Sequence, residues 1–204
     1  AGSRVLLLVD DIPILQADAG FPNWDDVPIE NIEQVEVLKG AASSLFGSSA
    51  LNGIVNIRTA VPKSEPETKL AVFYNPYFAP RDEQLKWWDS APYSAGASLS
   101  HRQRFKKLDL VLGGFYLNEE SFNKDTFKKF GRFNFTTNYR ITDRLTVGLN
   151  GNFNKGESGS FFFWKSDVNA YEPPTDSAAT TRKRFRYNLD PHITYFDNAG
   201  NRHK

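Results

Sequence analysis

The sequence predicts a small α+β unit followed by antiparallel transmembrane β-strands that form part of a β-barrel. Residues 1–61 contain short apolar runs separated by turn-forming residues, whereas residues 69–204 contain long stretches in which apolar and polar residues alternate. Between them, residues 62–68 combine two prolines with charged residues, which is typical of a linker. We therefore expect two structural units joined by a short connection.

Composition excludes several classes of protein. The net charge of +1 among 204 residues does not indicate a nucleic-acid-binding surface, and we expect no nucleic-acid partner. The chain has no cysteine, which excludes disulfides, thiolate metal sites and a cysteine nucleophile. Its longest apolar runs are far shorter than the roughly 20 residues of a membrane-spanning helix. It also has no methionine, even at residue 1, so we expect it to be a piece of a longer protein.

The first unit begins with a predicted buried strand in "RVLLLVDDIPI". A turn should end this strand, because Asp10 and Asp11 can hydrogen-bond to their own backbone and Pro13 cannot continue a strand ladder. The next segment, "DDVPIENIEQ", predicts a short helix with Asp26 as its cap and Pro28 in its first turn. Two more strands are predicted in "VEVLKG" and "GIVNIRTA".

A segment rich in Gly, Ala and Ser, "AASSLFGSSALNG", connects these last two strands. It contains neither GxGxxG nor GxxxxGK[ST], so a phosphate-binding loop is not supported. The glycines at 40, 47 and 53 instead indicate tight turns in a crowded environment.

Regular alternation defines the second unit. In residues 132–141, one face carries Phe133, Phe135, Thr137, Tyr139 and Ile141, and the other carries Arg132, Asn134, Thr136, Asn138 and Arg140. Residues 145–154 and 184–195 repeat the pattern, and short turns alternate with long loops. Lipid cannot hydrogen-bond to a backbone, so strands in a membrane pair into a closed sheet with apolar side chains toward lipid. A soluble antiparallel sheet with one buried face also alternates, but no segment after residue 69 indicates a helix that could cover the apolar face.

The segment "IENIEQVEVLKGAASSLFGSSALNGIVNIRTA" closely resembles the end of the plug domain of TonB-dependent outer-membrane receptors. The upstream "VLLLVDDIPI" resembles the valine-rich strand and turn of that family, with Asp11 where glycine is usual. The amino-acid sequence of residues 43–60 is most similar to that of receptors from the Bacteroidetes group. The resemblance implies a plug domain at 1–61, a linker at 62–68 and the first strands of an incomplete barrel at 69–204.

In that family a plug fills a barrel of 22 strands, so this chain alone cannot close a barrel. The resemblance implies import of a scarce nutrient: a ferric siderophore, haem, cobalamin or a glycan. The implied partners are the inner-membrane TonB complex, outer-membrane lipid, the small-molecule or glycan ligand and in some cases a surface lipoprotein. The implied location is the outer membrane of a Gram-negative bacterium. Two alternatives stay open: a receptor of the same architecture used for signalling or glycan docking, and a soluble β-sheet hydrolase.

Two groups of site residues follow from the resemblance. Glu33, Glu36 and Lys39 are expected to form ion pairs that hold the plug to the barrel, although ion pairs exposed to water contribute only about 0 to 1 kcal/mol each. Phe21 and Trp24 are expected to contact ligand at the outer mouth, with packing of Trp24 against the wall as the alternative.

The sequence indicates neither a metal site nor catalysis. The three histidines are scattered without paired spacing, and no pair of carboxylates suggests acid–base chemistry. We therefore expect no catalytic residue, no bound metal and no cofactor, and we predict that the protein is not an enzyme.

Overall fold

A computed structural model describes residues 5–16, 22–40, 50 and 52–203 of the chain. These residues form two β-sheets, one of four strands and one of seven. We call the region up to residue 61 the plug and the seven-stranded sheet the wall. The predicted order, a small unit followed by long antiparallel strands, is confirmed.

The plug sheet contains β1 (Val5–Val9), β2 (Ile12–Pro13), β3 (Ile32–Lys39) and β4 (Gly53–Thr59). Their spatial order is β2-β1-β4-β3, with β1 parallel to β4 and the other pairs antiparallel. The continuous apolar run of β1 is explained by the burial of both faces of this strand. Leu6 and Leu8 pack with Ile54 on one face, and Leu7 packs with Ile57 on the other.

The predicted turn after β1 is present. Asp10 and Asp11 both have positive φ angles, of 50° and 72°. Aspartate tolerates this conformation better than most residues because its short side chain can hydrogen-bond locally. The Asp10 carboxylate accepts hydrogen bonds from the backbone N–H and the hydroxyl of Thr59, at 2.9 and 2.6 Å. The turn is therefore tied to the end of β4.

The helix predicted in "DDVPIENIEQ" is wrong. Two separate 3₁₀ turns occupy this region, at Trp24–Asp26 and Ile29–Asn31, and β3 begins at Ile32. Pro28 explains the difference, because the residue before a proline is disfavoured in the helical conformation. Val27 is extended accordingly, with φ −71° and ψ 122°. The chain thus turns twice instead of continuing one helix.

The wall is an antiparallel meander in which each strand pairs with the next along the chain. Its strands are β5 (Glu67–Pro76), β6 (Tyr93–Phe105), β7 (Leu108–Glu120), β8 (Phe127–Arg140), β9 (Leu145–Ser160), β10 (Thr180–Phe196) and β11 (Arg202–His203). The connection between the plug sheet and the wall therefore covers residues 60–66. No helix within the described residues has the length and apolar character needed to span a membrane.

The two ends of the wall differ in their connections. Residues 77–92, 121–126 and 161–179 join strands at one end, which we call the long-loop end. Residues 106–107, 141–144 and 197–201 join them at the other, which we call the short-turn end. In outer-membrane barrels the longer loops are extracellular and the short turns periplasmic.

The two faces of the wall also differ. Phe133 and Tyr139 lie on a face where they are 48% and 46% exposed, whereas Arg132 and Asn134 lie buried on the opposite face. The plug packs against this second, polar face. The alternation in the sequence therefore separates an apolar outer face from a polar inner face that receives the plug.

Candidate functional site

The contact between the plug and the inner face of the wall is the most elaborate polar arrangement among the described residues. It is built by the two 3₁₀ turns and the start of β3 on the plug side, and by β6, β8, β9 and β10 on the wall side. Within the described part of the chain, five ion pairs cross this interface. In all five, the plug supplies the carboxylate and the wall supplies the cation.

Glu30 and Arg132 form the buried centre of the interface. Arg132 Nη2 lies 2.6 Å from Glu30 Oε2, and the side chains are 2% and 1% exposed. Asn134 donates a further hydrogen bond to Glu30 Oε1, and Arg132 Nη1 donates to the Asp25 carbonyl at 2.6 Å. A buried charge is tolerated only where it is paired and hydrogen-bonded, and both conditions hold here.

The first 3₁₀ turn presents two adjacent acids to the wall. Asp25 lies 2.6 Å from Lys128 Nζ and 3.2 Å from Arg184 Nη2. Asp26 lies 3.3 Å from Arg186 Nη2 and accepts a hydrogen bond from Asn154 at 3.0 Å. Side chains of adjacent residues would point to opposite faces of a strand, but the tight turn directs both carboxylates toward β8 to β10.

Asn31 connects the second 3₁₀ turn to the wall through its side-chain amide. Its Nδ2 donates to Asn134 Oδ1 at 2.6 Å, and its Oδ1 accepts from Ser100 Oγ at 2.6 Å. Gly113 of β7 makes this approach possible, because a Cβ at that position would collide with the Asn31 and Asn134 side chains. A side chain at residue 113 would therefore force the Asn31 and Asn134 side chains to shift.

The three residues predicted as a latch have different surroundings. Glu33 Oε2 lies 2.9 Å from Arg102 Nη1 of β6, which also pairs with Glu67 of β5. Glu36 lies within the plug, where its Oε2 accepts hydrogen bonds from Asn56 at 3.0 Å and Arg58 at 3.2 Å. Lys39 is exposed at the end of β3 and forms no ion pair with the described residues. The structure thus brings Glu33 alone of the three to the described wall strands, and their latch role stays a prediction.

Arg58 organises the charges inside the plug. Its Nη1 lies 2.6 Å from Asp11 Oδ2, and its Nε lies 3.2 Å from Glu36 Oε2. Hydrogen bonds to Asp11 and then to Glu36 raise the pKa of Arg58 above its usual range. This cluster ties β3 and β4 to the turn after β1.

The predicted ligand contacts are Phe21 and Trp24. Phe21 lies outside the described residues. Trp24 opens the first 3₁₀ turn and is 48% exposed. Its neighbour Asp25 pairs with Lys128 and Arg184, which lie near the long-loop ends of β8 and β10. Trp24 therefore sits toward the long-loop end of the wall.

The described residues contain no group of three or more His, Asp or Glu side chains arranged to hold a metal ion. The buried acids are paired with Arg, Lys and Asn instead, so their electrostatic role is adhesion between plug and wall.

Sequence reasoning missed Asp25, Asp26, Glu30 and Arg132 as interface residues. A signal was present on both sides: four acids between residues 25 and 33 in the plug, and inward-facing Arg and Asn residues along β8 to β10. Pairing the two sets required knowing that the plug lies against this particular part of the wall.

Comparison with known proteins agrees with this architecture. Residues 1–54 match the family model described as the TonB-dependent Receptor Plug Domain. The vitamin B12 transporter BtuB of Vibrio cholerae is 31% identical over 71 residues, which are 35% of this chain and 12% of that protein.

Solved structures extend the similarity to the wall. The siderophore receptor PirA from Acinetobacter baumannii superposes with a TM-score of 0.69 at 22% identity, covering 97% of this chain and 31% of PirA. The unliganded ferric citrate transporter FecA gives 0.69 at 15% identity, covering 97% of this chain and 29% of FecA. At these identities the superpositions show the fold, and the chain spans about a third of either structure. The similarity to Bacteroidetes receptors stays a prediction.

The plug match and the shared arrangement of plug and antiparallel wall together show that residues 1–54 are a TonB-dependent receptor plug domain by family model and that the described chain has the fold of these receptors.

Proposed function

We propose that the protein of which this chain is part imports a scarce nutrient across the outer membrane of a Gram-negative bacterium by energised displacement of its plug. The observation that carries the proposal is the polar character of the contact between plug and wall. Carboxylates of the plug meet Arg, Lys and Asn of the wall, as in the Glu30–Arg132 pair. Polar groups can exchange these partners for water when the plug moves, whereas a large apolar seam would resist hydration.

The buried part of the interface gives the closed state its stability. The Glu30–Arg132 pair is nearly inaccessible, while Glu33, which pairs with Arg102, is 48% exposed. Breaking a buried pair by removing one partner costs about 3 to 5 kcal/mol, whereas an exposed pair contributes about 0 to 1 kcal/mol. A plug held mainly through its 3₁₀ turns would stay closed at rest and require force to open. We assign that force to the inner-membrane TonB complex, as the family resemblance implies.

The names of the relatives support one class of ligand for the proposed function. The similar proteins are named as a vitamin B12 transporter, a siderophore receptor and a ferric citrate transporter. We therefore propose a metal chelate too large for passive diffusion, namely a ferric siderophore, ferric citrate, haem or cobalamin, and keep a glycan as the less supported member of the set. Trp24 is the candidate contact, because it lies toward the long-loop end and its exposed aromatic ring could stack on a planar ligand group. Such a protein binds and translocates its ligand without changing it chemically, so we propose a receptor and not an enzyme.

The test is uptake by the full-length receptor in cells that differ only in a functional TonB. Radiolabelled ferric enterobactin, ferric citrate and cyanocobalamin would be supplied separately to cells lacking their own receptors for these compounds. We expect one of them to accumulate only when TonB is functional. Accumulation at the same rate without TonB would contradict the proposed energised displacement.

The same cells can be used to test whether Trp24 contacts the ligand. We expect Trp24→Ala to weaken ligand binding to the cells by roughly tenfold, within the range measured for loss of a stacking contact. Trp87→Ala is the matched control, because Trp87 lies in the loop at 77–92 and bonds to the Phe122 carbonyl. Equal binding by the Trp24 variant and wild type would instead favour a packing role for Trp24.

A further inference from the structure

Three lysines on the outer face of the wall have no role in the contact with the plug. Lys129 of β8, Lys155 of β9 and Lys183 of β10 are exposed, and none forms an ion pair with the described residues. Each lies on the same face as the exposed aromatic residues of its strand, such as Phe133 and Phe185. Cations on a lipid-facing surface are costly near the bilayer centre, so their depth in the membrane decides what they do.

Strand register places the three lysines together. Lys129 and Lys183 are both paired with Glu157 of β9, on either side of it. Lys155 lies two residues along β9, paired with Gly131 and Phe185. With strands about 4.8 Å apart, the backbones of Lys129 and Lys183 are about 10 Å apart, and Lys155 lies diagonally between them. Their flexible four-carbon stems allow all three ammonium groups to converge on one anion.

A shallow, open groove lies between these lysines. It has a volume of about 660 Å³, and Tyr116, Phe185 and the three lysines contribute to its lining. Gly131 forms part of its floor, where a Cβ would meet no atom nearer than 3.9 Å. The groove thus combines apolar and aromatic surface with a cluster of cations, which matches an amphipathic ligand.

The groove lies at one boundary of the apolar band. On β10, Phe185 lies beside the lysines, and Tyr195 near the short-turn end lies ten positions further along the strand. At about 3.3 Å per residue and a tilt of about 40°, this corresponds to a membrane depth of about 25 Å, the height of the apolar band in outer-membrane barrels. The lysines therefore lie at the long-loop boundary, where lipid headgroups begin.

We propose that this groove, formed by Lys129, Lys155, Lys183, Tyr116 and Phe185, binds a phosphate-bearing lipid of the outer leaflet. The phosphate is held by the three ammonium groups, and the first segments of the acyl chains lie on Tyr116 and Phe185. The proposal rests on the outer-membrane location given above but not on which nutrient is imported. It adds a second ligand, bound on the outside of the wall.

Charge complementarity favours an anionic lipid over a second protein surface. Three lysines around one Glu157 leave a net charge of +2 in a band facing lipid, and charge-assisted bonds to phosphate are stronger than neutral ones. A lipid-binding site and a protein-binding surface can be distinguished by measurement, because only the lipid site depends on the phosphate of the lipid.

The test uses the full-length receptor in a neutral detergent, titrated with lipid A that carries two phosphates and followed by native mass spectrometry. We expect a retained lipid, and a dissociation constant raised roughly tenfold or more when Lys129, Lys155 and Lys183 are all replaced by Gln. The matched control replaces Lys63, Lys86 and Lys165 by Gln; these exposed lysines lie outside the groove and form no ion pair with the described residues. Equal loss in both triple variants, or no loss in the first, would overturn the proposal.

Two further arms test the chemistry. Lipid A without phosphates should bind at least roughly tenfold more weakly than the diphosphorylated form, and equal binding would overturn the proposal. Glu157→Gln should tighten binding by removing a like charge beside the phosphate, whereas weaker binding would overturn it. Inorganic phosphate at the concentration of the lipid should not displace it, and displacement would show a free-anion site instead. None of these measurements involves uptake, so their failure would leave the proposed import untouched.

Discussion

Glu30 of the plug and Arg132 of the wall are 102 residues apart in the sequence, yet their side chains meet at 2.6 Å and are almost fully buried. Asn134 bonds to the same carboxylate from the next inward-facing position on β8. This relationship joins the plug to the wall at a place where water has little access, so the pair should dominate the energy of the closed state.

Replacing Arg132 by Ala should therefore weaken the closed state strongly. Glu30 would be left buried without its cation, at an expected cost of about 3 to 5 kcal/mol. We expect cells that express the full-length variant to become sensitive to large antibiotics that the outer membrane excludes, measured as the minimum inhibitory concentration. The matched control is Arg140→Ala on the same strand, because Arg140 bonds to the Lys106 carbonyl and pairs with Asp109 of the wall, and it bonds to none of the described plug residues.

A double-mutant cycle separates the Glu30–Arg132 pair from general damage to the wall. We expect Glu30→Gln combined with Arg132→Met to be less harmful than the sum of the single changes, because neither charge is left alone. Strict additivity, measured as the free energy of unfolding in urea, would contradict direct coupling of these residues.

The latch prediction can be tested residue by residue. Glu33→Ala should cause a smaller leak than Arg132→Ala, because Glu33 is 48% exposed and its buried partner Arg102 stays paired with Glu67. Replacing Glu36 and Lys39 by Ala should also increase leak if these residues hold the plug to the wall. Antibiotic sensitivity equal to wild type in this double variant would reject the latch role for Glu36 and Lys39, and would fit the contact of Glu36 with Arg58 inside the plug.

Gly53 at the start of β4 should not tolerate a side chain. Its φ is +128°, and a Cβ there would collide with the Leu38 carbonyl oxygen of β3. We expect Gly53→Ala to lower the free energy of unfolding of the plug by about 2 kcal/mol or more, from backbone strain plus collision. Gly40→Ala is the control: its φ is +85° but a Cβ would meet nothing within 4 Å, so it should cost less. Both free energies of unfolding can be measured by urea denaturation. An equal decrease in the two variants would show that backbone strain alone, and not the collision with Leu38, destabilises the plug.

The stability of the turn after β10 should depend on pH. Hydrogen bonds from Asn201, then from His203 and the Ala199 backbone, lower the pKa of Asp197 below its usual range. Because the pKa is lowered in the folded state, the ionised Asp197 carboxylate stabilises the turn fully above the ordinary Asp pKa of about 3.9. This stabilisation is lost as the pH falls through the lower pKa of the folded state. We expect amide protection at Ala199 and Asn201, measured by hydrogen exchange, to persist at pH 5 and to fall below pH 4. Asp197→Asn should remove this pH dependence, and an unchanged pH profile would contradict the assignment to Asp197.

The sequence by itself determined the strands and turns that depend on interactions between residues close together in the chain. Alternation in residues 132–141 and 145–154 identified the strands and their two faces, because side chains point to opposite faces at every second position. Asp10 and Asp11 identified the turn after β1, and the sequence resemblance identified the plug. Pro28 also carried local information, but its effect was underestimated, so one helix was predicted where two 3₁₀ turns occur.

Only the tertiary structure decided which charges meet. Asp25, Asp26 and Glu30 are ordinary acids in the sequence. Their role at the interface depends on cations more than 100 residues away in the chain. Strand register decided equally that Lys129, Lys155 and Lys183 surround one groove, because pairing across three strands fixes neighbours that no short segment of sequence encodes. Side-chain alternation is a property of each strand, whereas electrostatic partners are a property of how separate strands and turns are brought together.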